Sequence, residues 1–374
     1  MPDLCGAFLH DIDLATEFQK RGHQAVFLII QKPKEGYNGG NYRGFQFMHF
    51  TAGQQYLDAS DIWVCPHAPV LPEVRRLNNR GYHRPIVATC HYDGNYLSIT
   101  KNYSPAWKEM LLFINQTMEP NYRKNIVPWP SSIVRTDVVR PILHREQILI
   151  EGDDQGPRDM ITLVNANHNK GVVQFIELAK QNPTRKFLGV LPYYGELYVP
   201  HAPPNVEWTP FDDNIRNILR RTRVLLMPSY YESFGRIAVE AMLNGIPVLY
   251  SKPQVKPKHQ GGSTEGVQEW IGTAGIACDR DVPSEWSDVL TSLDDETTYA
   301  QRSQQVRTHI DDMHLFEEAG RIAIVIESFA RENPIIVRST TSQSQQIGPA
   351  PTTMIPQQPG RDSGFSLAKR LLKR

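Results

Sequence analysis

The sequence predicts an α/β protein of two doubly wound domains facing a cleft, with a disordered C-terminal tail. Three observations carry this expectation. Short apolar runs alternate with helical patterns in two successive series, which is the mark of parallel sheets with helices on their faces. A polar stretch, Arg145–Pro157, containing EGDDQGP, separates the two series. The length of 374 residues suits two domains of about 100–200 residues each.

In the first series, strands are expected at Ala25–Ile30, Phe45–Phe50, Asp61–Cys65, Pro85–Cys90 and Leu111–Ile114. Helices such as Asp11–Arg21 and Leu71–Asn78 lie between them. In the second, the strands are Met160–Asn165, Lys186–Val190, Val224–Met227, Pro247–Tyr250 and Gly275–Cys278. Its helices are Val172–Gln181, Asp213–Arg221, Arg236–Leu243, Thr264–Ile271, Ser284–Leu293 and a last helical region near Thr297–Arg331. The expected organisation is an N-terminal domain over 1–144, a linker over 145–157, a C-terminal domain over 158–334 whose final helix packs back, and a basic tail over 335–374. Two such units place a ligand at the carboxyl ends of the strands, between the domains.

The formal net charge is 0, which excludes a general polyanion-binding surface but not a local patch. The tail holds six cations (Arg338, Arg361, Lys369, Arg370, Lys373, Arg374) against one anion, Asp362. Ser339–Gly364 is rich in Ser, Thr, Gln and Pro and is expected to be disordered. Phe365–Arg374 can place Phe365, Leu367, Ala368, Leu371 and Leu372 on one helical face with cations opposite. That reads either as a weak contact for a membrane, a nucleic acid or an acidic partner, or as a frayed end, because short isolated helices are marginal.

Cys5, Cys65, Cys90 and Cys278 have neither CxxC nor metal-ligand spacing. Buried reduced thiols and a cytoplasmic setting are expected. The start of the chain lacks the basic and apolar regions of a signal peptide. No run reaches the about 18 apolar residues that span a bilayer.

The most informative segment is Val224–Tyr250, VLLMPSYYESFGRIAVEAMLNGIPVLY. It reads as a buried strand, a polar loop to Gly235, a helix, an Asn244–Gly245 stop and a further strand. Glu232 falls in the loop and Glu240 in the helix, with seven residues between them. The backbone N–H groups of Ser233 through Ile237 lie at a helix N-terminus, a ready anion site. Two carboxylates beside it suit a sugar nucleotide, since carboxylates accept hydrogen bonds from hydroxyls while the helix end holds a diphosphate.

This segment resembles the E-x7-E region of family 4 glycosyltransferases and their relatives. The resemblance implies the GT-B fold of two Rossmann-like domains and transfer of a sugar, with retention, from a UDP- or GDP-sugar to an acceptor hydroxyl. Glu240 would bind the ribose, and Glu232 the donor sugar together with backbone at Ser233, Phe234 and Gly235. Arg236 and Ile237 would offer backbone N–H groups to the phosphates. Ile161–Gly171, ITLVNANHNKG, looks like the family's opening strand and phosphate loop. Taken alone, Lys170 reads as a solvated lysine beside a turn glycine; beside the first motif it would neutralise the diphosphate. Many members carry an arginine after this strand where this chain has Asn165, which shifts charge compensation toward Lys170 and backbone donors.

Pro192–Gly195 and Asn205–Asp213 look like loops that bracket the base, and Glu269 matches an acidic position in the loop Gly261–Gly275. His91, in PIVATCHYDG, resembles the family's histidine at the cleft edge, which can donate to the transferred sugar; a strand-end histidine is otherwise structural. Gly6–His23 resembles the first helix, with His10 or Asp11 facing the cleft. Asp11, Ile12 and Asp13 match a DxD pattern, which here reads as helix capping rather than a metal site. No cofactor and no metal are expected. In relatives a strand precedes this helix, so either that strand is missing or the start lies upstream. The rival readings are a sugar-nucleotide epimerase on the same fold and a non-catalytic binding module. The acceptor class stays open among glycan, lipid, protein and modified DNA base.

Overall fold

The computed structural model describes residues 6–30, 39–66, 69–94, 96–152, 157–192, 201–253 and 264–335. Met1–Pro334 group as one compact unit and Ile335–Arg374 as a second; every helix and strand described lies in the first. The expectations for Ser339–Gly364, for Phe365–Arg374 and for the chain before Gly6 lie outside the described residues.

The first half runs α1 (Gly6–Lys20), β1 (Phe27–Ile29), β2 (Gly40–Tyr42), β3 (Phe45–His49), α2 (Gln54–Ala59), β4 (Trp63–Pro66), α3 (Leu71–Asn78), β5 (Ile86–Cys90), α4 (Leu97–Thr100), β6 (Glu109–Phe113), α5 (Met118–Asn125), β7 (Ile133–Val138) and α6 (Arg145–Ile148). Its strands form two sheets, ordered β1-β3-β2 and β4-β5-β6-β7. The second sheet is parallel throughout. β5 and β6 are buried at every position, as strands covered on both faces must be.

The second half runs β8 (Met160–Leu163), α7 (Val172–Gln181), β9 (Lys186–Val190), β10 (Val206–Thr209), α8 (Ile215–Leu219), β11 (Thr222–Met227), α9 (Arg236–Leu243), β12 (Val248–Ser251), α10 (Glu265–Ile271), β13 (Ile276–Cys278), α11 (Pro283–Ser292), α12 (Glu296–Asp312) and α13 (Glu318–Glu332). They build one six-stranded parallel sheet, β10-β9-β8-β11-β12-β13. β8, first in sequence, sits in the middle, so the chain winds one way from β8 to β10 and the other way from β11 to β13. The switch point lies between the carboxyl ends of β8 and β11.

One expectation needs correction, and two others gain detail. Asn205–Asp213 is not simply a loop: Val206–Thr209 forms the edge strand β10 beside β9. Trp208 covers Gly189, where a β-carbon would run into the indole. The region Thr297–Arg331 is two helices, broken where His314 takes a φ of +50°. Half of the linker is held in place, with α6 at Arg145–Ile148 and Ile150 buried. Asn244, just past α9, clamps it: Ile150 N–H donates to Asn244 Oδ1 at 2.8 Å and Asn244 Nδ2 donates to the Ile148 carbonyl at 3.1 Å.

The main core is continuous across both halves. It joins Leu14 of α1, Ile86 and Leu111 of the first parallel sheet, Ala238 of α9 and Ile322 of α13. α13 packs on α1, and Arg21 donates to both Glu327 carboxylate oxygens at 2.6 and 2.8 Å. At the start of β6, Glu109 pairs with Arg75 of α3; the two are 1% and 0% exposed and form a two-pronged ion pair. Arg75 also donates to the carbonyls of Ile99 and Lys101, and Trp107 Nε1 donates to Glu109. No helix among the described residues is long and apolar enough to cross a membrane.

Candidate functional site

The switch point brings together the loops after β8 and β11. After β8, Asn167 accepts the Lys170 N–H on its side chain and Gly171 turns the chain at φ +79°. A β-carbon at Gly171 would collide with the Pro228 carbonyl of the other loop. The loops are also joined by Tyr230 N–H donating to the Asn169 carbonyl at 3.0 Å. The result is a salt bridge across the switch point, Lys170 Nζ to Glu232 Oε1 at 2.5 Å, with Ser229 Oγ donating to the same oxygen at 2.8 Å. Glu232 is 6% exposed and the Lys170 side chain 25% exposed.

Gly235, at φ +76°, turns the β11 loop into α9. The first N–H groups of a helix have no intrahelical acceptor, so those of Arg236 and Ile237 open α9 as a positive end. Phe234 is buried against Trp270, with ring centroids 5.1 Å apart, and its carbonyl accepts from Trp270 Nε1. It contributes backbone and shape rather than an exposed face.

Arg236 does more than offer an amide. Its Nε donates to Glu240 Oε1 at 2.9 Å, and one terminal nitrogen reaches Asp13 Oδ2 at 3.1 Å and the Ile142 carbonyl at 3.0 Å. Burial works against the Arg236 charge, but Glu240 and Asp13 beside it more than offset that. Burial pushes the Glu240 carboxyl up, against the pull of Arg236. Asp13 therefore belongs to an ion-pair cluster that ties α1 to α9. The DxD pattern is divided, because Asp11 lies instead beside two histidines.

His91 follows β5 and faces His10 of α1, with ring centroids 5.0 Å apart at 75°. A nitrogen of each ring and a carboxylate oxygen of Asp11 lie within 4.8 Å of one another, a spacing that could hold a metal ion. Burial, followed by the charges of His91 and Arg236, holds His10 well below the usual imidazole range. Burial raises the Asp11 carboxyl to about 7.

The far side of the cleft is stitched to this loop. Asp93 N–H donates to the Tyr231 hydroxyl at 2.8 Å, and Asn115 Nδ2 donates to the Ser233 carbonyl at 2.8 Å. Glu269, expected at the donor, accepts the Gln116 N–H at 2.8 Å, which ties α10 to the loop after β6. Asn165 sits at φ +63° with Oδ1 buried and without a hydrogen-bond partner among the described residues. Of the base-bracketing loop Pro192–Gly195, all but Pro192 lies outside the described residues. Nothing in the sequence announces Ser229, Tyr231, Asn115 or the Arg236–Asp13 tie, since none has a spacing that points across the cleft.

Residues 200–292 match the family described as Glycosyl transferases group 1. The matched stretch holds β11, the Glu232 loop and α9. The chain's fold is GT-B. It superposes on Anabaena Alr3699/HepE, solved in complex with UDP and glucose, with a TM-score of 0.66 at 14% identity, covering 87% of this chain and 96% of that one. WaaG, a glycosyltransferase involved in lipopolysaccharide biosynthesis, gives a TM-score of 0.60 at 13% identity, covering 86% and 96%. The D-inositol 3-phosphate glycosyltransferase of Paenarthrobacter aurescens (strain TC1) is 32% identical over 132 residues, 35% of this chain and 28% of its own length. O-antigen chain mannosyltransferase B of Escherichia coli is 27% identical over 202 residues, 54% of this chain and 41% of its own length. The alignments thus span less than half the length of these two relatives.

Proposed function

We propose that this chain is a group 1 glycosyltransferase that transfers a sugar, with retention of configuration, from a UDP- or GDP-sugar to an acceptor hydroxyl. The observation that carries the reading is the Lys170–Glu232 pair at the switch point, next to the Gly235-headed helix. The donor diphosphate docks on the first N–H groups of α9. Its charge competes with Glu232 for Lys170, and Glu232 becomes free to accept a hydroxyl of the donor sugar. Lys170 then stands where negative charge develops as the bond to the anomeric carbon breaks.

Arg236 holds Glu240 by Oε1, which leaves Oε2 to accept from the ribose. His91 donates to the transferred sugar. Retention follows from the family resemblance, as attack on the same face assisted by the departing phosphate. UDP is the first nucleotide to try, because the HepE structure is described with UDP and glucose. Cys65, Cys90 and Cys278 are buried free thiols, which suits a reducing cytoplasm.

The test is a donor-cleavage screen over UDP-, GDP-, ADP- and dTDP-sugars, with and without EDTA. One nucleotide diphosphate should be released, insensitive to EDTA. Release should vanish in Glu240→Ala and fall roughly 100- to 1,000-fold in Lys170→Ala, the range for removing one transition-state charge partner. Absence of both release and thermal-shift binding with every donor would overturn the reading.

A further inference from the structure

The cluster of His10, Asp11 and His91 has a polarity that its spacing alone does not reveal. His10 is 0% exposed, and the Ile142 backbone N–H donates to its Nδ1 at 3.2 Å. A nitrogen that accepts a hydrogen bond carries no proton. Burial keeps this ring neutral, so its one proton sits on Nε2. His10 therefore presents a donor at Nε2. That atom, like Asp11 Oδ1, is buried and has no hydrogen-bond partner among the described residues. Buried polar atoms rarely go unpaired. A donor and an acceptor left over in one cluster call for a group that is acceptor and donor at once.

A metal ion fits the spacing but not this tautomer. Nε2 would have to lose its proton to ligate, and moving the proton to Nδ1 would set it against the Ile142 N–H. A hydroxyl fits both groups: its oxygen accepts from His10 Nε2–H, and its proton goes to Asp11. Asp11 and His91 are only partly buried, and the neighbouring residues Tyr92 and Asp93 touch Tyr231 of the Glu232 loop. The cluster thus faces the sugar end of the cleft.

We propose that His10 and Asp11 form a hydroxyl-recognising pair, with His91 closing its third side, that selects and orients a hydroxyl of the donor sugar or of the acceptor. This deepens the glycosyl-transfer reading and rests on it. The pair reads an alcohol by offering one donor and one acceptor, so a deoxy or fluoro position would leave one or both buried atoms unpaired.

The experiment compares wild type with His10→Phe, which keeps a ring but removes the donor, and His10→Gln, whose side-chain amide restores an N–H. Calorimetry measures UDP, GDP, UDP-glucose and GDP-mannose, and kinetics measures donor cleavage by water and transfer to inositol phosphate and mannoside probes. Bare nucleotide affinity should stay at the wild-type value in both variants. His10→Phe should lose roughly 10- to 100-fold, the effect of one unpaired buried group, and His10→Gln should recover most of it. If the loss is in sugar-nucleotide affinity, the hydroxyl is the donor's. If donor affinity and cleavage by water hold while the acceptor KM rises, it is the acceptor's.

Unchanged sugar-nucleotide affinity and unchanged transfer in a folded His10→Phe protein would overturn the proposal. So would tight binding of one equivalent of Zn²⁺ that is lost in that variant, or nitrogen-15 spectra placing the wild-type His10 proton on Nδ1. Wild-type protein that binds no nucleotide or sugar nucleotide would instead overturn the transfer reading and take the pair's role with it.

Discussion

Replacing Asp11 by asparagine should stabilise the protein at alkaline pH and change little at acid pH. The carboxyl ordinarily titrates at 3.8, and burial raises it to about 7. The folded protein therefore keeps this proton over a window in which the unfolded chain has lost it. Between 3.8 and about 7 the unfolded state binds fewer protons than the folded one, so stability falls as pH rises and levels off above the folded value. At 1.36 kcal/mol per pKa unit, a shift of about three units gives an upper bound of about 4 kcal/mol. Water drawn in from the cleft as the group ionises keeps the real figure smaller. His10, on the same helix, and His91 and Arg236 facing it are present in both proteins, so their titrations largely cancel in the difference. The assay is the denaturant midpoint of wild type and Asp11→Asn at several pH values from 4 to 8.5. The gap in favour of asparagine should open across the window and stay constant above it. A gap that does not vary with pH would refute the idea that this carboxyl is forced to ionise in a buried site.

Two further substitutions probe charges that the fold buries. Arg75→Met should cost about 3–5 kcal/mol, because it leaves the 1%-exposed Glu109 uncompensated; adding Glu109→Leu should recover much of this in urea unfolding, and a double variant no better than the single would count against it. Arg236→Leu removes the cation between Asp13 and Glu240 and should lower both melting temperature and nucleotide affinity. Arg236→Lys should restore charge but not the simultaneous bonds to Asp13, Glu240 and the Ile142 carbonyl, so full recovery of affinity with lysine would argue against a positioning role.

Much of the second half is legible in the sequence because its signals are local. Val172–Gln181 and Arg236–Leu243 form helices over the expected residues, since each begins at a glycine and carries an apolar stripe that one segment displays by itself. β10 escapes a sequence reading because it is short: VEWT alternates apolar and polar residues over only four positions, too few to stand out from the loop around it. The single expected region Thr297–Arg331 is two helices because the break at His314 is a turn conformation that no proline or glycine marks. The first half is harder to read, as β2 and β7 are exposed or half-buried along most of their length.

For the site, the chemistry is legible and the partners are not. By sequence, Lys170 and Glu232 are separate contributors; the structure joins them because β8 and β11 are neighbours, and strand order is a property of the whole sheet. A motif position puts Glu269 at the donor; its bond to the loop after β6 is a contact set by how the halves pack. The element types, the glycine turns and the residue kinds that suit a sugar nucleotide are written along the chain, because these depend on sequence neighbours. The assignment of Asp13 to Arg236 and of Asp11 to the histidines arises only on folding. Successive positions on a helix point about 100° apart, and what each meets there comes from distant segments of the chain.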